Sequence, residues 1–436
     1  MINYYIQSYF VHPKIGLSSA MNKRTSLLLL IFLIFFVISL MSNILGPIIP
    51  DIINSFSLSL SLAGFLPFCF FVAYGVMSLP SGLLVERYRE KPVLLTAFAL
   101  ATLGALVFAF NPQFSFALIS LFVIGLGMAM LQVVINPLLR VVGGEENFAF
   151  NSVLGQLAFG AASFLSPWLY SYLVQNLHTG NDAFYFQFLE KMVPADLSWV
   201  SVYYLFALLA VLMFLLISRI SFPKVELKED EKVDLGSSLK ALMGQRKVWL
   251  FFIGVFCYVG SEQGIANWVS KFLQEYHGAD PATTGAQVIS YFWGLLTVGC
   301  LLGLLLLKLM DAKHVLMLFT LGAIAALIVG LTAEGTLVLV AFALTGFFLS
   351  VMWSIIISLS LNSVAIAHGT FAGLLCSGII GGAVVPLLIG ALADGIGLRA
   401  AMFFLLIPLG YIFAIGIWAK PLVSNARVKS LKELFS

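Results

Sequence analysis

Charged residues are scarce in this chain of 436 residues. Asp, Glu, Lys and Arg together make up 10% of it, whereas a soluble globular domain carries roughly 25%. Cysteine and histidine are also few, with four and five copies, and they are scattered without the spacing of a metal site. The sequence shows no pairing of a nucleophile with a base and no phosphate-binding loop. We therefore expect no enzyme activity, no bound metal and no cofactor.

Apolar residues dominate the chain instead. They make up 61% of it, and phenylalanine alone has 39 copies. They form runs of about 20 residues, which is the length of helix that crosses a hydrocarbon core of ~30 Å. Twelve runs are centred near residues 37, 72, 102, 128, 162, 209, 261, 297, 323, 349, 381 and 410. The sequence thus predicts an all-α membrane protein, with twelve transmembrane helices embedded in a lipid bilayer.

The basic residues are sorted to one side of these predicted helices. If the N-terminus lies inside, only Lys191, Lys271 and Arg399 of the 23 Lys and Arg residues fall outside. Because cytoplasmic loops carry the excess of basic residues, both termini are predicted to lie in the cytoplasm, with the protein in the cytoplasmic (inner) membrane. The same sorting accounts for the net charge of +3, so no nucleic-acid partner is expected.

One long charged interval, Arg219–Lys247, separates the first six runs from the last six. The predicted division is a cytoplasmic tail (1–24), a six-helix half (25–220), a cytoplasmic linker (221–246) with a short amphipathic helix around Leu239–Met243, a second six-helix half (247–420) and a cytoplasmic tail (421–436). Weak matches between runs 2 and 8, 4 and 10, and 5 and 11 favour two pseudo-symmetric halves. Met21 resembles a natural start, which leaves open whether residues 1–20 belong to the native protein.

The segment between predicted helices 2 and 3 reads SGLLVERYREK and resembles the signature of the major facilitator superfamily. The signature positions are Gly82, Glu86, Arg87 and Lys91. The stretches NILGPIIPDI, GLGMAMLQVVINPLLRVVG, FCYVGSEQG and CSGIIGGAVVPLLIGALAD are similar to the fucose permease group of sugar porters within that superfamily. The resemblance implies alternating access between two halves. It also implies that Glu86 and Arg87 tie helix ends together in the outward-facing state, unless their charges only set topology.

The stretch CYVGSEQGIANW carries Glu262, the acid that lies deepest in a predicted span. An ionisable group at the bilayer centre costs ~2.5–3.5 kcal/mol on insertion scales, so such groups mark functional sites. Glu262 either handles a coupling proton or sodium ion, or bonds a neighbouring helix or a solute hydroxyl. Gly260 and Gly264 beside it either serve packing or permit local unwinding of the helix.

Other polar residues inside the spans are expected to line a cavity with Glu262. They are mainly amides at helical spacing, joined by a tryptophan and a serine row: Gln263, Asn267, Gln132, Asn136, Asn43, Gln156, Trp353 and Ser354, with Ser350, Ser358 and Asn362 continuing the row. Amides and a carboxyl offer donors and acceptors, and aromatic rings offer flat apolar faces. This mixture suits a monosaccharide, which has a rim of hydroxyls and faces of C–H groups.

The chain departs from the family pattern at two positions. The fucose permease resemblance implies a proton-handling aspartate in span 1 and a glutamate in span 4, where this chain has Gly46 and Gln132. Glu262 matches a glutamate of the glucose/galactose and N-acetylglucosamine porters. We therefore expect a monomeric sugar transporter, with ion-coupled symport through Glu262. The alternatives are an uncoupled facilitator, an exporter of another polar solute, or a membrane sensor that moves nothing.

Overall fold

The computed structural model describes residues 14–144, 148–180, 183–223, 236–364 and 368–421. Within them every regular element is helical. The first half contains the α-helices Lys14–Ser42, Leu45–Phe56, Leu60–Tyr88, Glu90–Phe110, Phe114–Gly143, Phe148–Asn176, Phe184–Glu190 and Ser201–Ser218, with a 3-10 helix at Ala195–Val200. The second half contains the α-helices Ser237–Met243, Arg246–His277, Ala286–Leu309, Ala312–Thr332, Thr336–Leu349, Met352–Leu361, His368–Ser377, Gly381–Ile396, Leu398–Met402 and Leu406–Trp418.

These helices include 12 segments long and apolar enough to cross a membrane. We number them spans 1 to 6 (Arg24–Phe56, Leu60–Tyr88, Glu90–Phe110, Phe114–Gly143, Asn151–Asn176, Ala195–Ser218) and spans 7 to 12 (Arg246–His277, Pro281–Leu309, Ala312–Thr332, Thr336–Leu361, Thr370–Ile396, Leu398–Trp418). The predicted number of spans and the helical fold class are confirmed.

The short helix predicted in the linker is Ser237–Met243, whereas residues 224–235 of that linker and the tails at 1–13 and 422–436 lie outside the described residues. The first helix begins at Lys14, inside the segment predicted as a tail.

The two halves repeat one packing plan. In the first half span 4 packs on spans 2 and 3, span 3 on span 6, and span 1 on span 5. In the second half span 10 packs on spans 8 and 9, span 9 on span 12, and span 7 on span 11. Adding six to each number converts the first set of pairs into the second. This confirms the pseudo-symmetric arrangement of two six-helix halves.

Two spans are interrupted near their middle. Span 1 breaks at Asn43 and Ile44, because Pro47 has no N–H to donate to the carbonyl of Asn43 and is tolerated only in the first turn of the next helix. Span 10 breaks at Ser350 and Val351. There the carbonyl of Ser350 accepts a 3.2 Å hydrogen bond from the thiol of Cys300 in span 8. A neighbouring span thus satisfies a backbone group that the break in span 10 leaves free.

The halves meet through spans 1 and 7, 2 and 11, and 5 and 8. Some of these contacts lie at the face predicted to be extracellular, which we call the outer face. Gly46 of span 1 lies so close to the carbonyl oxygen of Ala266 that a Cβ would not fit. At the ends of spans 5 and 8, the amide of Gln175 donates to the carbonyl of Ala282 at 3.5 Å. The structure is therefore a conformation in which the outer ends of the halves are in contact.

Candidate functional site

Glu262 lies half-buried near the middle of span 7, and both its carboxylate oxygens are engaged. The Tyr258 hydroxyl, one turn earlier, donates to Oε2 at 2.5 Å. The side-chain amide of Gln263 donates to Oε1 at 3.2 Å. Such bonds stabilise an acid inside an apolar bundle, because burial of a carboxylate without hydrogen-bond partners has a large free-energy cost of desolvation. Span 7 thus supplies the bonds that hold its own acid.

The polar chain continues along the same helix toward the outer face. The amide nitrogen of Asn267 donates to Oε1 of Gln263 at 3.3 Å and to the backbone carbonyl of Gln263 at 2.9 Å. Gln263 and Asn267 are both buried, at 6% and 2% exposure. The structure therefore joins three of the predicted site residues, Glu262, Gln263 and Asn267, into one hydrogen-bonded row.

Aromatic side chains from other spans lie beside this row. The Trp353 ring of span 10 packs against Tyr258, with ring centroids 6.0 Å apart. On the other side, Phe71 of span 2 and the side chain of Gln263 both lie against Gly382 of span 11. Residues from both halves therefore surround the row, so a movement of one half against the other would change its surroundings.

The helix does not unwind at Glu262. Span 7 is a continuous α-helix from Arg246 to His277, so the predicted option of local unwinding is wrong for this conformation. Gly260 lies against Val385 and Gly381 of span 11, and Gly264 lies against Leu405 and Ile389. Both glycines serve close packing, since small residues let helix backbones approach in a membrane.

Four other predicted site residues are not hydrogen-bonded to Glu262 in the structure. Gln132 is half-exposed, whereas Asn136, Gln156 and Ser354 are exposed. The Asn136 amide bonds the backbone of Gln132 at 3.4 Å. Among the hydrogen bonds of the described residues, none connects these four side chains to Glu262. Their contact with a solute stays a prediction.

Asn43 is engaged inside the first half. Its amide nitrogen donates to the Ser163 hydroxyl of span 5 at 2.9 Å and to the Ser39 hydroxyl at 3.3 Å. The two serine hydroxyls are themselves 2.6 Å apart. This buried network ties span 1 to span 5 next to the break in span 1. The side-chain nitrogen of Asn43 therefore donates to groups of the protein itself in this conformation.

The serine row predicted in span 10 is interrupted. Ser350 lies at the break and is buried at 3% exposure, whereas Ser354 and Ser358 are exposed. The amide of Asn362 bonds Ser358 at 3.4 Å. The structure therefore places Ser354 and Ser358, but not Ser350, on an exposed face of span 10, and contact of the row with a solute stays a prediction.

The signature segment lies at the inner ends of spans 2 and 3, where Gly82 is half-buried. The Lys91 ammonium donates to the carbonyl of Ser218 at the end of span 6, at 2.7 Å. The Arg87 guanidinium lies over the Tyr88 ring, 5.3 Å from its centroid. The role predicted for Glu86 and Arg87 concerns the outward-facing state and stays a prediction.

Two hydrogen-bonded pairs at polar residues were not predicted from the sequence. Tyr258 precedes Glu262 by one helical turn, so the helical spacing was the signal that could have identified it. Asp51 is the second such residue. In the structure it is half-buried within the Leu45–Phe56 helix, and its Oδ2 accepts a 2.5 Å hydrogen bond from the buried Tyr170 hydroxyl. No local pattern links two residues so far apart in the chain.

Comparison with known proteins agrees with this architecture. The Major Facilitator Superfamily profile matches residues 31–375. The chain is 31% identical over 402 residues to a glucose/galactose transporter of Brucella abortus biovar 1 (strain 9-941), a match that covers 90% of this chain and 93% of that protein. It is 26% identical over 385 residues to the L-fucose-proton symporter of Escherichia coli (strain K12), covering 84% of this chain and 86% of the symporter.

Solved structures share the fold. The crystal structure of the E. coli fucose:proton symporter superposes with a TM-score of 0.64 at 22% identity, covering 90% of this chain and 98% of the other. A bacterial homolog of the human lysosomal transporter Spinster, in an inward-facing and unoccupied conformation, superposes with a TM-score of 0.76 at 15% identity, covering 91% and 97%. At these identities the likeness concerns the fold alone.

Proposed function

This chain belongs to the major facilitator superfamily, a family of membrane transporters rather than enzymes, and we propose that it is a secondary active transporter of a monosaccharide. The solute would be a hexose or an amino sugar, bound between the halves and released on the opposite side by alternating access. The named relatives carry glucose, galactose and fucose. Their similarity over most of the chain supports a sugar as the solute class.

The observation that carries the proposal is the polar row on span 7 with aromatic rings beside it. Glu262 supplies carboxylate oxygens, Gln263 and Asn267 extend its hydrogen-bonded row, and Tyr258 and Trp353 add flat faces. Sugars are recognised by such a combination, because hydroxyls need paired donors and acceptors and the ring faces need apolar contact. Gln132, Asn136, Gln156 and Ser354 are proposed to complete the cavity from spans 4, 5 and 10.

Glu262 is proposed to couple transport to an ion. It replaces in function the two family acids whose positions here are Gly46 and Gln132. The ion would be a proton or sodium, taken up or released as the surroundings of Glu262 change between the two conformations. We further propose that both termini lie inside, on the strength of the basic-residue distribution, and that the protein acts as a monomer in the cytoplasmic membrane.

The test is uptake by purified protein in liposomes. Labelled glucose, galactose, fucose and N-acetylglucosamine are offered one at a time, and proton and sodium gradients are imposed separately. Concentrative uptake of one of these sugars under one of the two gradients is expected. Saturable uptake without accumulation under either gradient would indicate an uncoupled facilitator. A protein that binds a sugar but never moves it would be a sensor, and a protein that neither binds nor moves any of them would refute the sugar class.

A further inference from the structure

Spans 2 and 11 are joined at the outer face by an acid from one half and a helix N-terminus from the other. Asp394, in the last turn of span 11, accepts hydrogen bonds from the backbone N–H of Leu60 at 2.9 Å and of Ser61 at 3.0 Å. One bond goes to each carboxylate oxygen. The two partners are more than 300 positions away in sequence and belong to the opposite half.

The position of Asp394 is unfavourable for its own helix. The C-terminus of a helix carries partial negative charge, which repels an acid, whereas the N-terminus attracts one. Asp394 lies at the wrong end of Gly381–Ile396 and at the favourable end of span 2. The electrostatic benefit of this acid therefore comes from the contact between the halves.

The backbones of the same two spans touch around these bonds. Gly390 lies against the backbone carbonyl of Leu60, and Gly64 lies against the Cα of Leu387. A Cβ at either glycine would require the helices to separate. Two glycines, one on each span, thus permit the approach that brings Asp394 to the N-terminus of span 2.

The first turn of span 2 depends on the other half for two of its donors. Its first four N–H groups have no partner within the helix in general. Here the N–H groups of Leu62 and Ala63 are satisfied locally, by the Ser59 hydroxyl at 3.2 Å and the Ser59 carbonyl at 3.0 Å. Those of Leu60 and Ser61 bond Asp394. If the halves separated, the N–H groups of Leu60 and Ser61 would have to hydrogen-bond water instead.

The corresponding junction between spans 5 and 8 is built differently. Span 8 begins after Asp280, whose Oδ1 accepts from the N–H of Ala282 at 3.3 Å and whose Oδ2 accepts from the Thr283 hydroxyl at 2.8 Å. This acid caps its own helix and keeps its bonds wherever the other half moves. The repeat therefore contains two capping acids at equivalent junctions. Of the two, only Asp394 hydrogen-bonds the opposite half, whereas the charge of Asp280 lies close enough to Asp51 of that half to repel it.

We propose that Asp394 is a latch that holds the outer ends of the two halves together and so sets the balance between outer-closed and outer-open conformations. The inference rests on the two-state cycle of the proposed function. It needs no particular sugar or coupling ion.

The test is the distance between the halves in liposomes without sugar. Spin labels are attached to Asn111→Cys and Glu334→Cys, which are exposed in outer loops of opposite halves, in a chain whose four native cysteines are replaced. Asp394→Asn is compared with Asp280→Asn, the matched change in the acid that caps its own helix. Because Asp394 is exposed, the ratio of outer-open to outer-closed molecules should rise about threefold with Asp394→Asn. It should not rise with Asp280→Asn, since that change removes a repulsion between Asp280 and Asp51 of the opposite half.

A second variant tests the same contact between spans 2 and 11 by steric repulsion. Gly390→Ala should also raise the outer-open fraction, since its Cβ would meet the carbonyl of Leu60. Thermal melting of each variant shows whether it is folded. An unchanged distance distribution in folded Asp394→Asn would overturn the latch, as would an equal shift in Asp280→Asn. Failure of the sugar uptake experiment alone would leave this result standing.

Discussion

The Tyr258 hydroxyl and the Glu262 carboxylate are 2.5 Å apart on one face of span 7. Two residues four apart on a helix are neighbours, so the pair needs no other span to form it. The Tyr258 ring also packs against Trp353 of span 10. Tyr258 therefore contacts both the acid and span 10.

Removal of this hydroxyl should weaken transport. Tyr258→Phe keeps the ring against Trp353 but deletes the bond to Glu262. A hydrogen bond to a charged group contributes about 1.5–3 kcal/mol, so we expect kcat/KM for uptake to fall about tenfold or more. Tyr411→Phe is the matched control, because its hydroxyl bonds the backbone of Leu250 in span 7 at 2.8 Å, away from the acid. Equal losses in the two variants would contradict a specific role for Tyr258.

Neutralisation of Glu262 should separate accumulation from exchange. Glu262→Gln preserves the size and most hydrogen bonds of the side chain but cannot bind or release a proton or attract sodium. We expect accumulation to fall to the level of simple equilibration, while exchange between preloaded and external sugar remains measurable. Both are measured in the same liposomes.

Glu275→Gln supplies the control for that experiment. Glu275 lies on the same helix, exposed near its outer end, so its neutralisation should leave accumulation unchanged. If Glu262→Gln accumulates sugar as the unaltered protein does, Glu262 is not the coupling acid, whatever the sugar.

The number of spans and the division into halves could be predicted from sequence, because apolar run length and basic-residue position are local properties. The break in span 1 was also predictable, since Gly46 and Pro47 mark it. The break in span 10 was not. No proline or glycine occurs at Ser350 and Val351, and the interruption is stabilised from outside by the thiol of Cys300.

The candidate site also contains residues that could be grouped from the sequence and pairs that could not. Glu262, Gln263 and Asn267 could be grouped from their spacing on one helix. The bonds of Asn43 to Ser163 and of Asp394 to Leu60 join residues more than 100 positions apart, and one sequence gives no signal for such pairs. Residue type alone indicates only that each needs a partner.

The buried amide of Asn43 should matter for stability. Asn43→Ala removes the donor to two serine hydroxyls, and hydrogen bonds between membrane helices contribute about 0.6 kcal/mol each, with a maximum near 1.7. We expect a lower melting temperature in detergent than for Asn136→Ala, because the Asn136 side chain is exposed. If Asn136→Ala is as destabilising as Asn43→Ala, the network between spans 1 and 5 contributes little.

Gly46 should be required for closure of the outer face. It occupies the position at which the fucose permease resemblance implies an aspartate, and in this structure it touches the carbonyl oxygen of Ala266 on span 7. Gly46→Ala would place a methyl group inside that contact, so spans 1 and 7 must separate. A single methyl in a tight contact typically costs 1–3 kcal/mol, and we expect the transport rate to fall about tenfold or more, while sugar binding from the outside persists.

Gly410→Ala tests whether any added methyl in a span has this effect. Gly410 lies in span 12 with open space around the Cβ position, and alanine favours a helix over glycine by about 1 kcal/mol. Its transport rate should therefore equal that of the unaltered protein, and its melting temperature should be the same or higher. Rapid transport by Gly46→Ala would mean that the contact between Gly46 and Ala266 is not part of the transport cycle. The outer closure would then depend on spans 2 and 11, where Asp394 acts.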